Sequence, residues 1–431
     1  MLNKNFMGKL AVLLFSVVLF LNSCSYLPEI YYEKQRPNVE DEHHEFIEPD
    51  ELQEKLPEDE LWEELPENNG LPDDNTHITG AEEEARLVIS AVGDIMTHVP
   101  LLEAAKQPNE NYDFKSMFDE IKDYLERADV VIGNLETTIS PPEKGYGGYP
   151  RFRAPEQLLE AFKYAGFDVL ITANNHCLDG LELGLEYTLD KLDEYGLMHT
   201  GTARNVEERN SHLIIEKKDM RIGILAYTYG TNGMEALVPK KKLSYMVNYY
   251  NDYRRMTDDI KSMKEADVNL IIVYMHWGYE YHRVPNNEQK KLVEMLANEG
   301  VDIIFGCHPH VVQPMELKRV IMEDGTEKNV LVAYSLGNFL ASQKTPNTDA
   351  GVIVNVEIVK DPDKGISIDR ISYVPTWIYK YEQNGKLGFR VLPIRKYLDY
   401  EEFDEESTKR IKTVWEETTD ILDIEPFELE D

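Results

Sequence analysis

The side chains best suited to chemistry are histidines, carboxylates and amides that stand just after short apolar segments. The clearest are a His-x-His pair at His308 and His310, a histidine at His276, and the run Asn174-Asn175-His176. Imidazole together with carboxylate suits Zn, Mn, Fe or Ni better than calcium, which prefers oxygen ligands alone. The sequence therefore predicts a site for a divalent transition metal. Its candidates are Asp94, Asn134, Glu136, Asn174, Asn175, His176, Asp179, His276, Glu280, His308 and His310.

The histidines of the last two segments carry most of this prediction. Residues i and i+2 of an extended segment point the same way, so the rings of His308 and His310 can reach one centre. We expect both to bind metal or act in catalysis, and the alternative is structural hydrogen bonding. His276 follows five apolar residues, where a lone histidine is usually a hydrogen-bonded core residue. The other histidines that follow neighbouring segments favour a functional role for His276.

Two carboxylates follow the first two apolar segments. Asp94 comes directly after Gly93, at a place where a charge has few structural uses. Glu136 lies two residues after Asn134, and we expect it to be an anionic ligand or a general base. Asn134 is a candidate for contact with substrate, and the alternative is a turn-forming side chain that bonds to the backbone.

The third segment is followed by an amide beside an imidazole, which supplies a neutral ligand and a proton donor within three residues. Asp179, three positions after His176, would hydrogen-bond that histidine and orient its ring. The alternatives are turn chemistry for Asn174 and Asn175, and a helix-capping role for Asp179 before Gly180.

A basic and aromatic run, Arg151-Phe152-Arg153-Ala154-Pro155, stands out in an acidic chain. Arginines near an anion-handling centre can hold a carboxylate or phosphate, so Arg153 is the preferred substrate contact. Glu280 is a second predicted substrate contact. The alternative for Arg153 is a surface ion pair. Weaker candidates are His98 and His282, whereas His199 and His212 are expected at the surface and Cys177 and Cys307 as small buried side chains, with a disulfide or redox role left open.

These residues must be positioned by the segments that precede them. Six short β-rich runs are typical of strands buried on both faces: 87–92, 130–132, 169–171, 222–227, 270–274 and 303–305. Helical spacing predicts helices over 112–126, 155–165, 183–195, 250–264 and 287–298. Ligands in α/β sheets collect beyond the carboxyl ends of strands, where all the candidates fall. With further strands between 330 and 394, we expect a layered α/β sandwich with helices outside and mixed sheets inside.

The first 23 residues are typical of a signal peptide. Lys4 and Lys9 precede an apolar run from Leu10 to Leu21, which is too short for a comfortable membrane span. Leu21-Asn22-Ser23-Cys24 resembles a lipobox, so we expect cleavage before Cys24 and lipidation of it. The alternative is an uncleaved anchor. Either outcome predicts a protein attached to the cell membrane on its extracytoplasmic face.

Residues 24–85 are predicted to be a disordered acidic spacer. From Ser25 to Ala85 there are 21 acidic and three basic residues, about half of the chain's formal charge of −35. Such a segment cannot bury enough apolar surface to offset its chain entropy. The charge also argues against a nucleic-acid partner, which needs clustered Lys and Arg.

Short blocks of the sequence occur in a fixed order over about residues 87–345. They are Gly93-Asp94-Ile95-Met96, Gly133-Asn134-Leu135-Glu136-Thr137, Phe152-Arg153-Ala154-Pro155, Ala173-Asn174-Asn175-His176, Asp179-Gly180, His276-Trp277-Gly278-Tyr279-Glu280-Tyr281, His308-Pro309-His310 and Tyr334-Ser335-Leu336-Gly337-Asn338-Phe339. This ordered series resembles the bacterial CapA family. The family is associated with synthesis and export of poly-γ-glutamate capsule, as a membrane-attached component that faces outward. Its fold resembles calcineurin-like metallophosphoesterases, a four-layer αββα sandwich.

The resemblance implies roles for single residues. It makes His176 the acid near the leaving group. From the residue pattern we also predict catalytic roles for Asp179 and Glu136, and substrate contacts for Asn134 and Asn174. Two departures weaken a phosphoesterase reading: Met96 replaces a ligand histidine, and Asn134 replaces a bridging aspartate. A second metal should be held less firmly, so one or two ions are expected. The implied ligands are Asp94, Asn175, His276, His308 and His310, and the residue pattern described above adds Glu136 to the predicted metal ligands.

Three functions follow. The first is a metal-dependent hydrolase or transferase in poly-γ-glutamate synthesis or export, the second a non-catalytic polymer-binding accessory, and the third a secreted metallophosphoesterase. The expected partners are an anionic polymer, the membrane through the lipid, and other capsule proteins. Polymer contacts should lie on the folded part, because the spacer repels an acidic chain. The folded part is expected as a CapA-like domain over 86–345, further strands over 346–400 and an acidic tail over 401–431, in which Ile411 and Trp415 suggest a helix.

Overall fold

The computed structural model describes residues 84–322, 325–363, 365–383 and 385–422. The signal segment, Cys24 and nearly all of the acidic spacer therefore lie outside the described residues. Within the described ranges, no helix is both long enough and apolar enough to cross a membrane.

Sixteen strands form in the described part, and each of the six runs predicted as strands is one of them. The strands are β1 Ala85–Ile95, β2 Val130–Leu135, β3 Thr138–Ile139, β4 Arg153–Ala154, β5 Val169–Ile171, β6 Met198–Thr200, β7 Leu213–Lys217, β8 Met220–Thr228, β9 Leu270–His276, β10 Ile303–Cys307, β11 Met315–Ile321, β12 Glu327–Ala333, β13 Asn338–Leu340, β14 Ala350–Asp361, β15 Gly365–Gln383 and β16 Lys386–Pro393.

Helices separate most of the parallel strands, and several follow the predicted spans with ends shifted by no more than three residues. The helix Asn287–Asn298 begins at a capping box, in which the Asn286 side chain accepts from Gln289 N and the Gln289 side chain accepts from Asn286 N. The helices are α1 Val99–Ala105, α2 Lys122–Leu125, α3 Gln157–Ala165, α4 Leu181–Glu194, α5 Val206–Arg209, α6 Lys240–Met246, α7 Tyr253–Glu265, α8 Asn287–Asn298, α9 Ile394–Tyr397 and α10 Glu405–Leu422, with short 3-10 turns at Lys115–Met117, Pro142–Lys144 and Met234–Leu237.

The larger sheet has eight strands in the order β16-β15-β14-β1-β2-β5-β6, and β13 also pairs with β1. Strands β1, β2, β5 and β6 run parallel, while β14, β15 and β16 add to the β1 edge in antiparallel fashion. The register of β1 against β2 shifts between Val92 and Asp94. Such irregularities redirect a side chain at the end of a strand, and this one falls where the polar residues begin.

The smaller sheet has six strands in the order β11-β12-β10-β9-β8-β7. Its four central strands, β8, β9, β10 and β12, are parallel, and the two edge strands are antiparallel to them. In both sheets the parallel strands therefore present their carboxyl ends together, and the polar loops follow those ends.

Burial defines four layers. Residues from both sheets, such as Leu87 and Ile89 of β1 and Ile222 and Ile224 of β8, form one core between the sheets. A second core packs the outer face of the larger sheet against α1, α3 and α4, and a third packs the outer face of the smaller sheet against α7 and α8. The predicted αββα sandwich is confirmed.

The single long helix predicted over 112–126 is wrong. The structure has a 3-10 turn at Lys115–Met117 and one short helix, α2, in its place. The apolar spacing is real, because Phe114, Phe118 and Ile121 are fully buried. However, Phe118 packs edge-on against aromatic rings of the outer core, and this packing sets the backbone rather than helix propensity.

The C-terminal segment contains the helix that Ile411 suggested. Ile411 and Val414 of α10 are fully buried, in a small cluster with Trp377 of β15. Cys177 and Cys307 are free and buried, so they form no disulfide. Burial raises the pKa of the Cys177 thiol to about 12, which suits the structural interpretation.

Candidate metal centre

The centre lies where the carboxyl ends of β1, β2, β9 and β10 meet. The structure brings together the predicted residues of separate loops, and their side chains are buried. No more than 5% of any of these residues is exposed: Asp94, Glu136, Asn175, His176, His276, His308 and His310. The shared point on which the chemical hypothesis depends is therefore present.

Asp94 is fixed by three polar partners. One carboxylate oxygen accepts from Asn134 Nδ2 at 2.7 Å, and the other lies 3.1 Å from His308 N and 3.0 Å from His310 Nδ1. Burial alone would raise the pKa of Asp94, but the bond and charge of His310 outweigh burial and hold it well below its usual value. Asp94 is thus an anion in a fixed orientation.

Gly93, which precedes Asp94, is required because there is no space for a side chain at this position. A Cβ at Gly93 would stand 1.9 Å from the carbonyl oxygen of Gly337, and Asp94 N donates to that same oxygen at 3.0 Å. The backbones of β1 and of the segment before β13 must touch here, which only glycine permits. This contact links two of the blocks noted in the sequence.

Glu136 is the most unusual residue of the centre. It is fully buried, and neither carboxylate oxygen has a hydrogen-bond partner. Its Oε1 lies 3.6 Å from His276 Nε2 and 3.9 Å from His310 Nε2. Burial, and then the charge of Asp94, raise the pKa of Glu136 well above its ordinary value. An uncompensated buried carboxylate is costly, and a bound cation would remove that cost.

His276 and Asn175 face each other at 2.9 Å between Nε2 and Oδ1. On its other side, Nδ1 of His276 lies 3.3 Å from Asn134 Nδ2, which donates to it. Burial lowers the pKa of His276 to about 3, so the ring is neutral. A neutral imidazole is the form that binds a metal.

His308 and His310 reach the centre by a different route from the one predicted. Their φ values are 94° and 59°, so the loop is a left-handed turn and not an extended segment. The expected geometry was wrong, although both rings arrive, with centroids 5.8 Å apart. Positive φ at non-glycine residues is costly and persists where the surroundings enforce it, as the bond from His308 N to Asp94 does here. Nδ1 of His308 is buried without a partner.

Two donor groups emerge from this arrangement, and they share Glu136. The first joins Glu136 with His308 and His310, and the second joins it with Asp94 and His276, with donor atoms within 4.8 Å of one another in each group. Carboxylate and imidazole together fit a divalent transition metal. The orphaned oxygens of Glu136 and the orphaned Nδ1 of His308 are buried polar atoms that such an ion would satisfy.

His176 stands at the edge of this centre. Its Nδ1 lies 2.8 Å from Asp179 Oδ2, which also accepts from Phe152 N at 2.6 Å. The ring packs edge-on against Phe152, at 4.6 Å between centroids. Asp179 does not cap α4, which begins after Gly180 without a side-chain cap bond. Asp179 therefore orients His176, as one of the two sequence interpretations proposed.

A family model described as bacterial capsule synthesis protein PGA_cap matches residues 88–343, more than half of the chain. The chain belongs to this family. The matched segment contains every residue of the two donor groups, together with His176 and Asp179.

Individual relatives agree with the family. The chain is 27% identical over 280 residues to "Capsule biosynthesis protein CapA" of Bacillus anthracis. This match covers 64% of this chain and 65% of that protein. It is also 27% identical over 279 residues to "PGA biosynthesis protein CapA" of Bacillus subtilis, over 64% and 68% of the two chains. The chain thus spans about two thirds of the length of these relatives.

Similar solved structures are more distant. Haemophilus influenzae NAD nucleotidase aligns with a TM-score of 0.44 and 13% identity, over 80% of this chain and 65% of that one. The calcineurin-like phosphoesterase YfkN of Bacillus subtilis aligns with a TM-score of 0.42 and 15% identity, over 78% and 99%.

The predicted substrate contacts of this PGA_cap family member fall in different places. Asn134 bonds to Asp94 and His276, and Asn174 donates to Leu135 O and accepts from His176 N, so both amides brace the centre. Glu280 is exposed and belongs to neither donor group. Arg153 lies outside the donor groups, and its Nη1 donates to Lys144 O at 2.9 Å. Substrate roles for these four residues stay predictions.

Two further residues of the centre were not among the predicted site residues, although Asn338 lies in one of the blocks that resemble the family. Asn338 Oδ1 lies 3.2 Å from His310 Nδ1, and the Tyr229 ring lies 4.6 Å from the His308 ring. Tyr229 directly follows β8, so the rule that polar residues gather after parallel strands would have found it. Met96, which replaces a histidine of the phosphoesterase pattern, is buried in the outer core and joins neither donor group.

The weaker candidate His98 also lies near the centre. It stacks edge-on against Phe152 at 4.9 Å, and its Nδ1 accepts from Ser342 N at 3.3 Å. Burial lowers the pKa of His98 to about 4, so the ring is neutral. Among the described residues it belongs to neither donor group, so its surroundings favour a structural role.

Proposed function

We propose that this chain acts in the synthesis or export of a poly-γ-glutamate capsule, as a hydrolase or transferase that uses one or two divalent transition-metal ions. The observation that carries the proposal is Glu136, whose buried oxygens have no hydrogen-bond partner and which belongs to both groups of imidazole and carboxylate donors. The polymer is suggested by the family and by relatives whose names refer to capsule and PGA biosynthesis.

The ligands in this proposal come from both donor groups, with Asn175 as a neutral oxygen beside His276. A metal held there would polarise a carbonyl group or activate water. The chain supplies the rest of the chemistry. Asp94 is held ready as an anion by His310, Asn134 and the His308 amide, so no rearrangement is needed to bind the ion.

His176 serves as the proton donor to the departing group. Asp179 accepts from its Nδ1, which fixes the tautomer and the plane of the ring. When the ring carries a second proton, on Nε2, that nitrogen is the atom that gives a proton to a leaving amine. Nε2 then takes a proton from the attacking water, which restores the doubly protonated ring. Because Asp179 is itself held by Phe152 N, the pair keeps its orientation without help from substrate.

The test uses the full chain. Metal content is measured after purification, and turnover of poly-γ-glutamate and of model phosphoesters is measured before and after removal of the metal with a chelator. Polymer turnover that disappears on chelation and returns with Zn, Mn or Fe supports the proposal. Polymer binding with no turnover under any metal replaces it by an accessory role, and turnover of phosphoesters alone replaces it by a phosphoesterase.

We also propose that Cys24 carries a lipid that holds the protein on the outer face of the cell membrane. Replacing Cys24 with Ser should abolish incorporation of labelled palmitate and leave the signal segment uncleaved, because the modified thiol and the cleavage site are lost together. Fractionation and intact mass measure both effects. The matched control is Cys177→Ser, which should keep the label. A wild-type chain that stays in the membrane without label would instead indicate an uncleaved anchor.

A further inference from the structure

A cleft of about 750 Å³ lies beside the metal centre and has no role in the chemistry described above. Its walls come from the segment after β3, from β4 and from the start of α4. Asp179 belongs to this wall and also holds His176, so the cleft and the centre share a side chain. Whatever binds in the cleft therefore lies close to the proposed proton donor.

Three cations line the cleft, although the whole chain is strongly acidic. They are Lys144, Arg151 and Arg153, and among the described residues no carboxylate forms an ion pair with any of them. Arg153 is half-buried, and its Nε is buried without a hydrogen-bond partner. Unpaired cations gathered in one cleft indicate an anionic ligand.

The acids of the same wall do not neutralise these cations. Asp179 is engaged by His176 and by Phe152 N, and Glu182 lies 3.4 Å from Lys242. The first turn of α4 also opens on the cleft at Gly180 and has no side-chain cap. The amides of that turn add positive potential to the cations.

Most of the remaining lining is apolar, apart from Thr138 and Ser140. Leu183 and Leu237 are large hydrophobic side chains with 68% and 61% of their surface exposed, and Ile139, Pro141 and Tyr187 complete this side. A γ-linked glutamate chain carries a free carboxylate and a pair of methylene groups in each repeat. A cleft with cations on one wall and apolar side chains on another matches both parts of that repeat.

We infer that this cleft binds a stretch of γ-linked glutamate polymer, with Arg151, Arg153 and Lys144 on its carboxylates and the leucines against its methylenes. The inference rests on the proposed function, and it places the polymer beside His176. It also explains how a chain of net charge −35 can hold a polyanion, since the contacts avoid the acidic N-terminal segment.

The test measures binding of a γ-linked glutamate oligomer to the metal-loaded full chain by titration calorimetry at two salt concentrations. The double variant Arg151→Gln/Arg153→Gln should bind at least tenfold more weakly and with less dependence on salt, because two charge-assisted contacts are lost. The control is Arg127→Gln/Arg254→Gln, which removes the same charge from exposed positions elsewhere and should bind like wild type. Metal content is measured in all three proteins.

A second measurement needs no variant. Acetylation of Lys144 should slow several-fold when the oligomer is present, while acetylation of the exposed Lys290 should not change. Equal binding by the arginine variant and wild type, or unprotected Lys144 in a chain that binds the oligomer, would overturn the cleft assignment and leave the proposed function standing. A wild-type chain that takes up metal but neither binds nor converts the polymer would overturn both.

Discussion

Glu136→Gln should remove most of the metal and most of the activity, and should at the same time make the metal-free protein more stable at neutral pH. Metal affinity should fall at least roughly 100-fold, since even residues that only support metal ligands cost about 10- to 100-fold. Glu136 belongs to both donor groups, so no other single carboxylate can replace it. Metal analysis and turnover measure the first two effects.

The stability effect follows from the pKa of Glu136. Burial and the neighbouring Asp94 raise this pKa well above its ordinary value of 4.5, so the folded state keeps a proton that the unfolded chain releases. The free energy of unfolding of the metal-free wild type therefore falls as pH rises from about 4.5 through the raised pKa, and Gln removes that dependence. Denaturant unfolding of both proteins with chelator, at several pH values, gives the difference.

Two comparisons make this result specific. His276, with a pKa lowered to about 3, reduces stability as pH falls below 6.5, but it is present in both proteins and cancels in the difference. Glu143→Gln removes an exposed carboxylate and should change neither metal content nor the pH dependence. A Glu136→Gln variant that kept full metal content would show that Glu136 is not a ligand, and the proposed centre would lose its main support.

That the candidate side chains meet at one place could be predicted from the sequence, because their meeting depends on strand topology alone. Asp94 and His276 each end a run of buried β-rich residues, and parallel strands place such ends at one edge of their sheet. The two sheets then face each other across one apolar core, which brings both edges to the same end of the molecule. Recognition of the strands was therefore enough to recover most of the candidate ligands.

The finer roles depend on contacts that no local pattern encodes. Asn174 braces the centre because Leu135 O lies within 2.8 Å of its amide, a contact between separate loops. The left-handed turn at His308 requires the bond to Asp94, more than 200 positions earlier in the chain. The broken helix near Phe118 has the same origin, since its aromatic partners come from other elements. Each of these is a tertiary effect that overrides a local preference.

His176→Ala should lower turnover of the polymer by roughly 10²- to 10⁴-fold while metal content stays unchanged. Metal content should not change, because His176 belongs to neither donor group. Turnover should fall, because the ring whose Nδ1 lies 2.8 Å from Asp179 is the proposed proton donor. Loss of the ring removes the proton donor and leaves the ligands in place. Metal analysis and steady-state kinetics on the same preparation check both parts.

The leaving group distinguishes a proton donor from a merely structural residue. With small γ-glutamyl amides, the defect of His176→Ala should be largest for alkylamine leaving groups and should shrink for nitroanilide, which departs with less help from a proton. The control His199→Ala removes a histidine that bonds to Asp193 away from the centre, and it should be silent for every leaving group. An equal defect across all amides would show that His176 positions the substrate, and loss of metal in His176→Ala would show that it is a ligand. Either result would exclude His176 as the proton donor. Neither would affect the ligand role of Glu136, which is tested separately by the metal content of Glu136→Gln.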